Sequence, residues 1–363
     1  MKTWPLEGIS LEEATQKQFK FVDTVTKYIK GRSMLGRGDL GVVPGLNKPE
    51  ITSETEKVIA DYFGAEEAML VRGAGTTAIR QALYAAVKPN HTLLVHDAPI
   101  YPTTQVSIDM MNLKVERVDF NQLSKVEEAV KELKPDGILI QLTRQKPDDS
   151  YDSQELIEAI RSVHPSIPII TDDNYAVMKI PKIGCEMGAS LSCFSLFKLL
   201  GPEGIGCIVG DKTYIEQLKR ENYSGGLQVQ GHEALDAIKG LAYAPVALAL
   251  SAQTSQTVCD ALNDGSIDGV KHAFIANAQS KVILVEFHEP IAKSVLKYAE
   301  DLGAAGYPIG AESKYEIVPM FYRVSHTFLQ SDQTLIDRMI RINPMRAGSE
   351  TILRILKEAV SQI

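Results

Sequence analysis

Cysteine, tryptophan and excess basic charge are all scarce in this 363-residue chain. The four cysteines, Cys185, Cys193, Cys207 and Cys259, fall 8, 14 and 52 positions apart. That spacing makes neither a CxxC metal pair nor a disulfide framework, so they read as small buried hydrophobes in a reducing compartment. Lys and Arg number 38 against 46 Asp and Glu, a net charge of −8, which denies the chain the clustered basic footprint of a nucleic-acid binder. No run reaches the roughly 18 apolar residues of a membrane helix, and Met1 to Glu7 opens no apolar signal segment. The expectation is a cytoplasmic protein with a small, anionic metabolite as its ligand, and with no nucleic acid, membrane or metal.

What is present fits an ordinary globular protein: 44% hydrophobic and 23% charged residues, in a chain long enough for two domains. From about residue 50 to 210, short β-rich apolar runs alternate with helix-period segments. Met69-Leu-Val71, Leu93-Leu-Val95, Gly137 to Gln141 and Pro168 to Thr171 read as strands. Ser53 with Glu56, Ser124 with Glu127, and Asp152 with Glu155 read as helix starts. This is the rhythm of an α/β fold, a mostly parallel sheet covered by helices. Beyond residue 210 the alternation weakens, with Leu241 to Leu250 expected as a packing helix. A smaller C-terminal α+β domain follows, with a helix at 291–302, strands at 316–323 and 339–343, and a terminal helix from Glu350. The expected division is an N-terminal arm over 1–49, a large domain over 50–245 and a small domain with connecting helices over 246–363.

Gly73-Ala-Gly75-Thr76-Thr77-Ala78 follows a strand and opens a helix, where free N–H groups form a phosphate-binding corner. The same run satisfies the dinucleotide pattern, with Asp97 as the ribose acid, so a nicotinamide-dependent oxidoreductase stands beside it, as does a plain tight turn. Ser195-Leu-Phe-Lys198-Leu-Leu-Gly201-Pro202-Glu-Gly204-Ile-Gly206 is more specific. A lysine flanked by apolar residues loses part of its preference for charge, and a neutral amine can attack a carbonyl as a Schiff-base nucleophile.

This segment resembles the cofactor-lysine run of fold-type-I pyridoxal-phosphate enzymes, above all class V aminotransferases, with echoes of the cysteine and methionine lyases. The resemblance implies that Lys198 carries pyridoxal 5'-phosphate and that Ser195, Gly75, Thr76 and Thr77 hold its phosphate. Tyr101, in Tyr101-Pro-Thr-Thr104, would stack on the ring. Asp173, in Thr171-Asp172-Asp173-Asn174, would pair with the ring nitrogen, with Asp172 as the fallback. Arg341 would bind the substrate carboxylate, with Arg346 as competitor. It implies an amino-acid substrate, an aminotransferase with a carbon–sulfur lyase as alternative, and a homodimer whose sites are shared through the run from Tyr223-Ser-Gly-Gly226 to Glu233. The later motifs have no place in a dehydrogenase.

Overall fold

The computed structural model describes residues 2–277, 281–308, 312–324, 329 and 332–363. Two compact units make up the chain, one of residues 12–142 and 150–245, the other of residues 1–11, 143–149 and 246–363. Residues 12–49 therefore pack as part of the large unit rather than as a separate arm. Leu11–Tyr28 is an amphipathic helix whose Phe21 packs edge-on to Tyr62 at 5.1 Å.

The large unit is built on a seven-stranded sheet: β1 Glu67–Arg72, β2 Thr92–His96, β3 Lys114–Val118, β4 Gly137–Gln141, β5 Ile169–Asp172, β6 Leu191–Ser195 and β7 Ile205–Gly210. Their spatial order is β1-β7-β6-β5-β4-β2-β3. Strands β3, β2, β4, β5 and β6 run parallel, while β7 is antiparallel to both β6 and β1. The central strands are buried, save for the half-buried Gln141 at the end of β4, because helices cover the sheet. Met69, Leu83, Val95, Ile170 and Ile208 meet in one core cluster between sheet and helices. In such a sheet, ligands bind beyond the carboxyl ends of the parallel strands. Here those ends are His96, Val118, Gln141, Asp172 and Ser195.

Helix boundaries differ from expectation where a cap comes from afar. The helix over Glu50–Phe63 starts three residues before Ser53, and the carboxylate of Asp39 accepts the N–H groups of Glu50 at 2.6 Å and Ile51 at 3.2 Å. Glu56 is thereby freed from capping and is buried against Lys48. Asp152 does cap its helix, accepting from Gln154 and Glu155. Strand β3 lies at the sheet edge with an exposed, polar pattern, which hid it in the sequence.

Gly231–Asn263 is one helix of 33 residues that carries Pro245 internally. By length and composition the segment Gly225–Asn263 could cross a membrane, but 61% of its apolar window is buried, as in a core helix.

The C-terminal unit holds a four-stranded antiparallel sheet of β8 Val270–Ile275, β9 Ile283–Phe287, β10 Met320–Arg323 and β11 Met339–Asn343, in the order β10-β11-β9-β8. Helices Ala292–Asp301 and Ser349–Val360 bury Val295, Ile352 and Leu356 against Ile283, Val285 and Ile340. Part of the expected strand at 316–323 is loop, and β8 and β9 were not apparent in the sequence.

Candidate active site

Strand ends, a glycine corner and one tight turn assemble the site in the large unit. Gly73 takes φ +101 and Ala74 φ +55, and both N–H groups donate to Gly204 O at 2.7 and 2.9 Å. Helix Ala74–Ala86 then begins, and Thr77 N is the donor that returns to Gly73 O. The N–H groups of Gly75 and Thr76 precede that donor, so the helix start presents them outward with its positive dipole end. A side chain at Gly206 would strike the backbone of Ala74, so β7 lies directly against this corner. The dinucleotide reading fails here on topology. It places the fingerprint strand inside a parallel sheet, whereas β1 is an edge strand paired antiparallel.

Thr76 Oγ1 donates to Thr103 Oγ1 at 3.2 Å, which ties the corner to the start of helix Pro102–Met110. Tyr101 is the residue just before that helix and is 49% exposed. A ring held at a helix start and half open to solvent can receive a planar ligand.

Lys198 lies in a one-turn 3₁₀ segment, Phe197–Leu199, immediately after β6, and the next residue but one, Leu200, turns back with φ +61. Its Nζ sits 4.0 Å from the ring centroid of Tyr175. Tyr175 was not singled out in the sequence. The signal was its position three residues beyond Asp172, at the same strand end, in a turn where it adopts φ +66. Ser195 ends β6 with its hydroxyl making no hydrogen bond among the described residues, while its N–H donates to Asn174 Oδ1 at 3.1 Å.

The two aspartates separate cleanly because successive residues at a strand end point to opposite faces. Asp173 is fully buried, and its oxygens accept from Thr171 Oγ1 at 2.6 Å, Gly184 N at 2.8 Å and Cys193 N at 3.2 Å. Burial pushes its carboxyl up to about 6 despite these donors. Asp172 faces the other way. Its Oδ1 accepts from Asn174 N at 3.0 Å and Asn174 Nδ2 at 2.7 Å. Burial raises its carboxyl too, opposed by the Asn174 bonds and by the charge of Lys198. The expectation that Asp173 meets the ring nitrogen thus conflicts with its geometry, since both of its oxygens serve the backbone and Thr171. Asp172 is the aspartate in the field of Lys198.

All four cysteines are free, and burial raises their thiols, Cys185 to about 12 and Cys259 to about 11. Such thiols are poor nucleophiles.

Tyr223 and Leu227 are exposed in the segment that the resemblance assigns to a shared site. That segment is zipped to residues 39–41, with Gly231 N donating to Asp39 O at 3.0 Å and Gly41 N to Gln230 Oε1 at 2.8 Å. In the C-terminal unit, Arg341 on β11 stacks 4.2 Å from the Tyr322 ring centroid and donates Nε–H to Arg323 O at 2.8 Å. Arg346 donates to Met345 O at 3.1 Å, and its Nη2 is buried without a hydrogen-bond partner among the described residues.

These residues fit pyridoxal 5'-phosphate. Outward helix N–H groups and the Ser195 hydroxyl suit a phosphate, Lys198 suits an aldehyde, and Asp172 suits a protonated ring nitrogen.

Comparison with known proteins agrees. Residues 14–239 match the family described as Aminotransferase class-V, and residues 256–356 match the family described as YhfS-like, C-terminal domain. The chain is 52% identical, over the full length of both, to "Uncharacterized protein YhfS" of Escherichia coli strain K12. The crystal structure of the pyridoxal-5'-phosphate-dependent protein YhfS from Escherichia coli superposes with a TM-score of 0.98 at 52% identity, covering all of each chain. A putative cystathionine beta-lyase involved in aluminium resistance from Listeria monocytogenes shares the fold, with a TM-score of 0.72 at 17% identity over 97% of this chain and 95% of that one. So does a cystathionine gamma lyase from Micromonospora echinospora, with a TM-score of 0.68 at 12% identity over 87% and 88%.

Proposed function

Because the chain belongs to the class V aminotransferase family and is a pyridoxal-phosphate-dependent enzyme, we propose that it is an aminotransferase-type enzyme acting at the Cα of an amino acid. The observation that carries this reading is Lys198 Nζ held 4.0 Å from Tyr175 in the turn after β6, in the field of Asp172.

The cofactor, when bound, supplies an electron sink for the pair left at Cα. The chain's residues do the rest. Gly75, Thr76, Thr77 and Ser195 bind its phosphate at the helix start. Tyr101 holds the ring plane. Asp172, in place of Asp173, keeps a proton on the ring nitrogen, because an opposite charge at contact range favours the cation. Lys198 would anchor the cofactor through its amine and would move the proton at the substrate Cα. Arg341, pre-oriented by Tyr322 and the Arg323 carbonyl, binds the substrate carboxylate, with Arg346 as its competitor.

Carbon–sulfur elimination is the second reading, favoured by the lyases among the proteins that share the fold. An amino-acid screen that follows keto-acid-dependent amino transfer separately from release of pyruvate, ammonia and sulfide distinguishes the two. Transamination is refuted if 2-oxo acids never alter turnover. The homodimer with shared sites belongs to the same proposal. Mixing two differently inactivated variants restores activity if sites are shared, and no restoration under any mixing ratio removes that part.

A further inference from the structure

Asn174 touches three parts of the cofactor site at once, yet its sequence position suggested only a motif match. Its backbone N–H and its Nδ2 both donate to Asp172 Oδ1, at 3.0 and 2.7 Å. Its Oδ1 accepts the N–H of Ser195 at 3.1 Å. Its amide also fills the space beside Gly75, where an added Cβ would lie 2.7 Å from both Nδ2 and Oδ1. The orientation of the amide follows from its neighbours. A carboxylate oxygen needs a donor and a backbone N–H needs an acceptor, so the flipped amide would set acceptor against acceptor and donor against donor.

We propose that Asn174 is a positioning residue that fixes the carboxylate of Asp172 for the cofactor's ring nitrogen and registers it against the phosphate corner through Ser195 and Gly75. The proposal rests on the reading that Asp172 partners the ring nitrogen. One planar amide thereby links the two ends of the cofactor, and glycine is required at position 75 to leave room for that amide. The charged groups acting on the two aspartates act in opposite senses: Lys198 favours an ionised Asp172, while the charge of Asp172 disfavours an ionised Asp173. The Asn174 bonds act with Lys198.

The test uses the holoenzyme loaded with ring-¹⁵N-labelled pyridoxal phosphate, reading the nitrogen's chemical shift against pH together with the cofactor dissociation constant. Asn174→Leu keeps most of the side-chain volume, removes both side-chain bonds and adds no charge. Asn174→Ala also removes both side-chain bonds while the backbone N–H stays on Asp172, and Gly75→Ala displaces the amide. The expected result for all three is a ring nitrogen that loses its proton at least one pH unit lower than in the wild type, with cofactor binding weakened about tenfold or more. Asp172→Asn is the control on the underlying reading and is expected to remove the ring proton outright. If Asp172→Asn changes the shift but Asn174→Leu leaves it at the wild-type value, the role of Asn174 is refuted. If Asp172→Asn itself leaves the shift unchanged, the assignment of Asp172 falls and the inference with it. Should Asn174→Ala fail to fold, the near-isosteric Asn174→Leu decides.

Discussion

Replacing Asp173 by asparagine separates a structural carboxylate from a catalytic one through the pH dependence of stability. In the native protein this carboxyl titrates at about 6, against an ordinary 3.8, because it is fully buried. Between those values the folded state binds a proton that the unfolded state has lost, so stability falls as pH rises through this window. At about 1.36 kcal/mol per unit, the displacement amounts to about 3 kcal/mol of ionisation penalty, absent below about pH 4 and complete above about pH 7. The asparagine of the variant carries no charge and lacks the penalty. It loses something else: an amide nitrogen would face one of the donors that now point at carboxylate oxygens, Gly184 N, Cys193 N or Thr171 Oγ1. A mismatched buried donor costs about 1–3 kcal/mol at every pH. The variant is therefore less stable than wild type in acid, and the deficit narrows by about 3 kcal/mol on going to pH 8. Urea unfolding of the cofactor-free protein at a series of pH values measures the difference. A deficit that stays constant, or that grows with pH, would refute the account of Asp173 as a buried carboxyl ionised against its environment.

Lys198→Ala is expected to abolish the yellow colour of the holoenzyme, whereas Asp173→Asn retains it; a Lys198→Ala protein that stays yellow removes Lys198 as the anchor. Glu56→Gln breaks a buried pair in which Lys48 donates at 2.7 and 2.8 Å and Leu70 N at 3.0 Å, and should lower unfolding free energy by about 3 kcal/mol. A loss below about 1 kcal/mol would contradict it. Gly206→Ala drives a methyl into the backbone of Ala74, and since backbone cannot step aside, cofactor affinity should drop about tenfold or more while β7 still forms. Arg341→Met should raise KM for the amino acid about a hundredfold with a smaller change in kcat, and Arg346→Met should not. The reverse pattern would move the carboxylate site to Arg346.

Much of the fold was legible because its signals are local. Gly137–Gln141, buried on both faces, and Met339–Asn343 are the strands expected from their apolar runs. Asp152 caps the helix it was expected to cap. The unit boundary between residues 245 and 246 lies within one continuous helix, and residues 12–49 join the large unit. The edge strand β3 was missed, since its exposed, polar residues carry weak alternation, and the pair β8–β9 was missed as well.

The sequence by itself determined that a lysine follows a buried strand, that a glycine corner opens a helix, and that an aspartate pair ends a strand between them. Each of those is a property of a few neighbouring residues. Only the tertiary structure decided which aspartate faces the lysine, because that depends on where Thr171, Gly184 and Cys193 place their donors. It also decided that Asp39 caps a helix beginning eleven residues later, and that Tyr175 and Asn174 join the site. Strand alternation turns one side chain toward the ligand and the next into the core, and a one-residue shift in reading exchanges their roles.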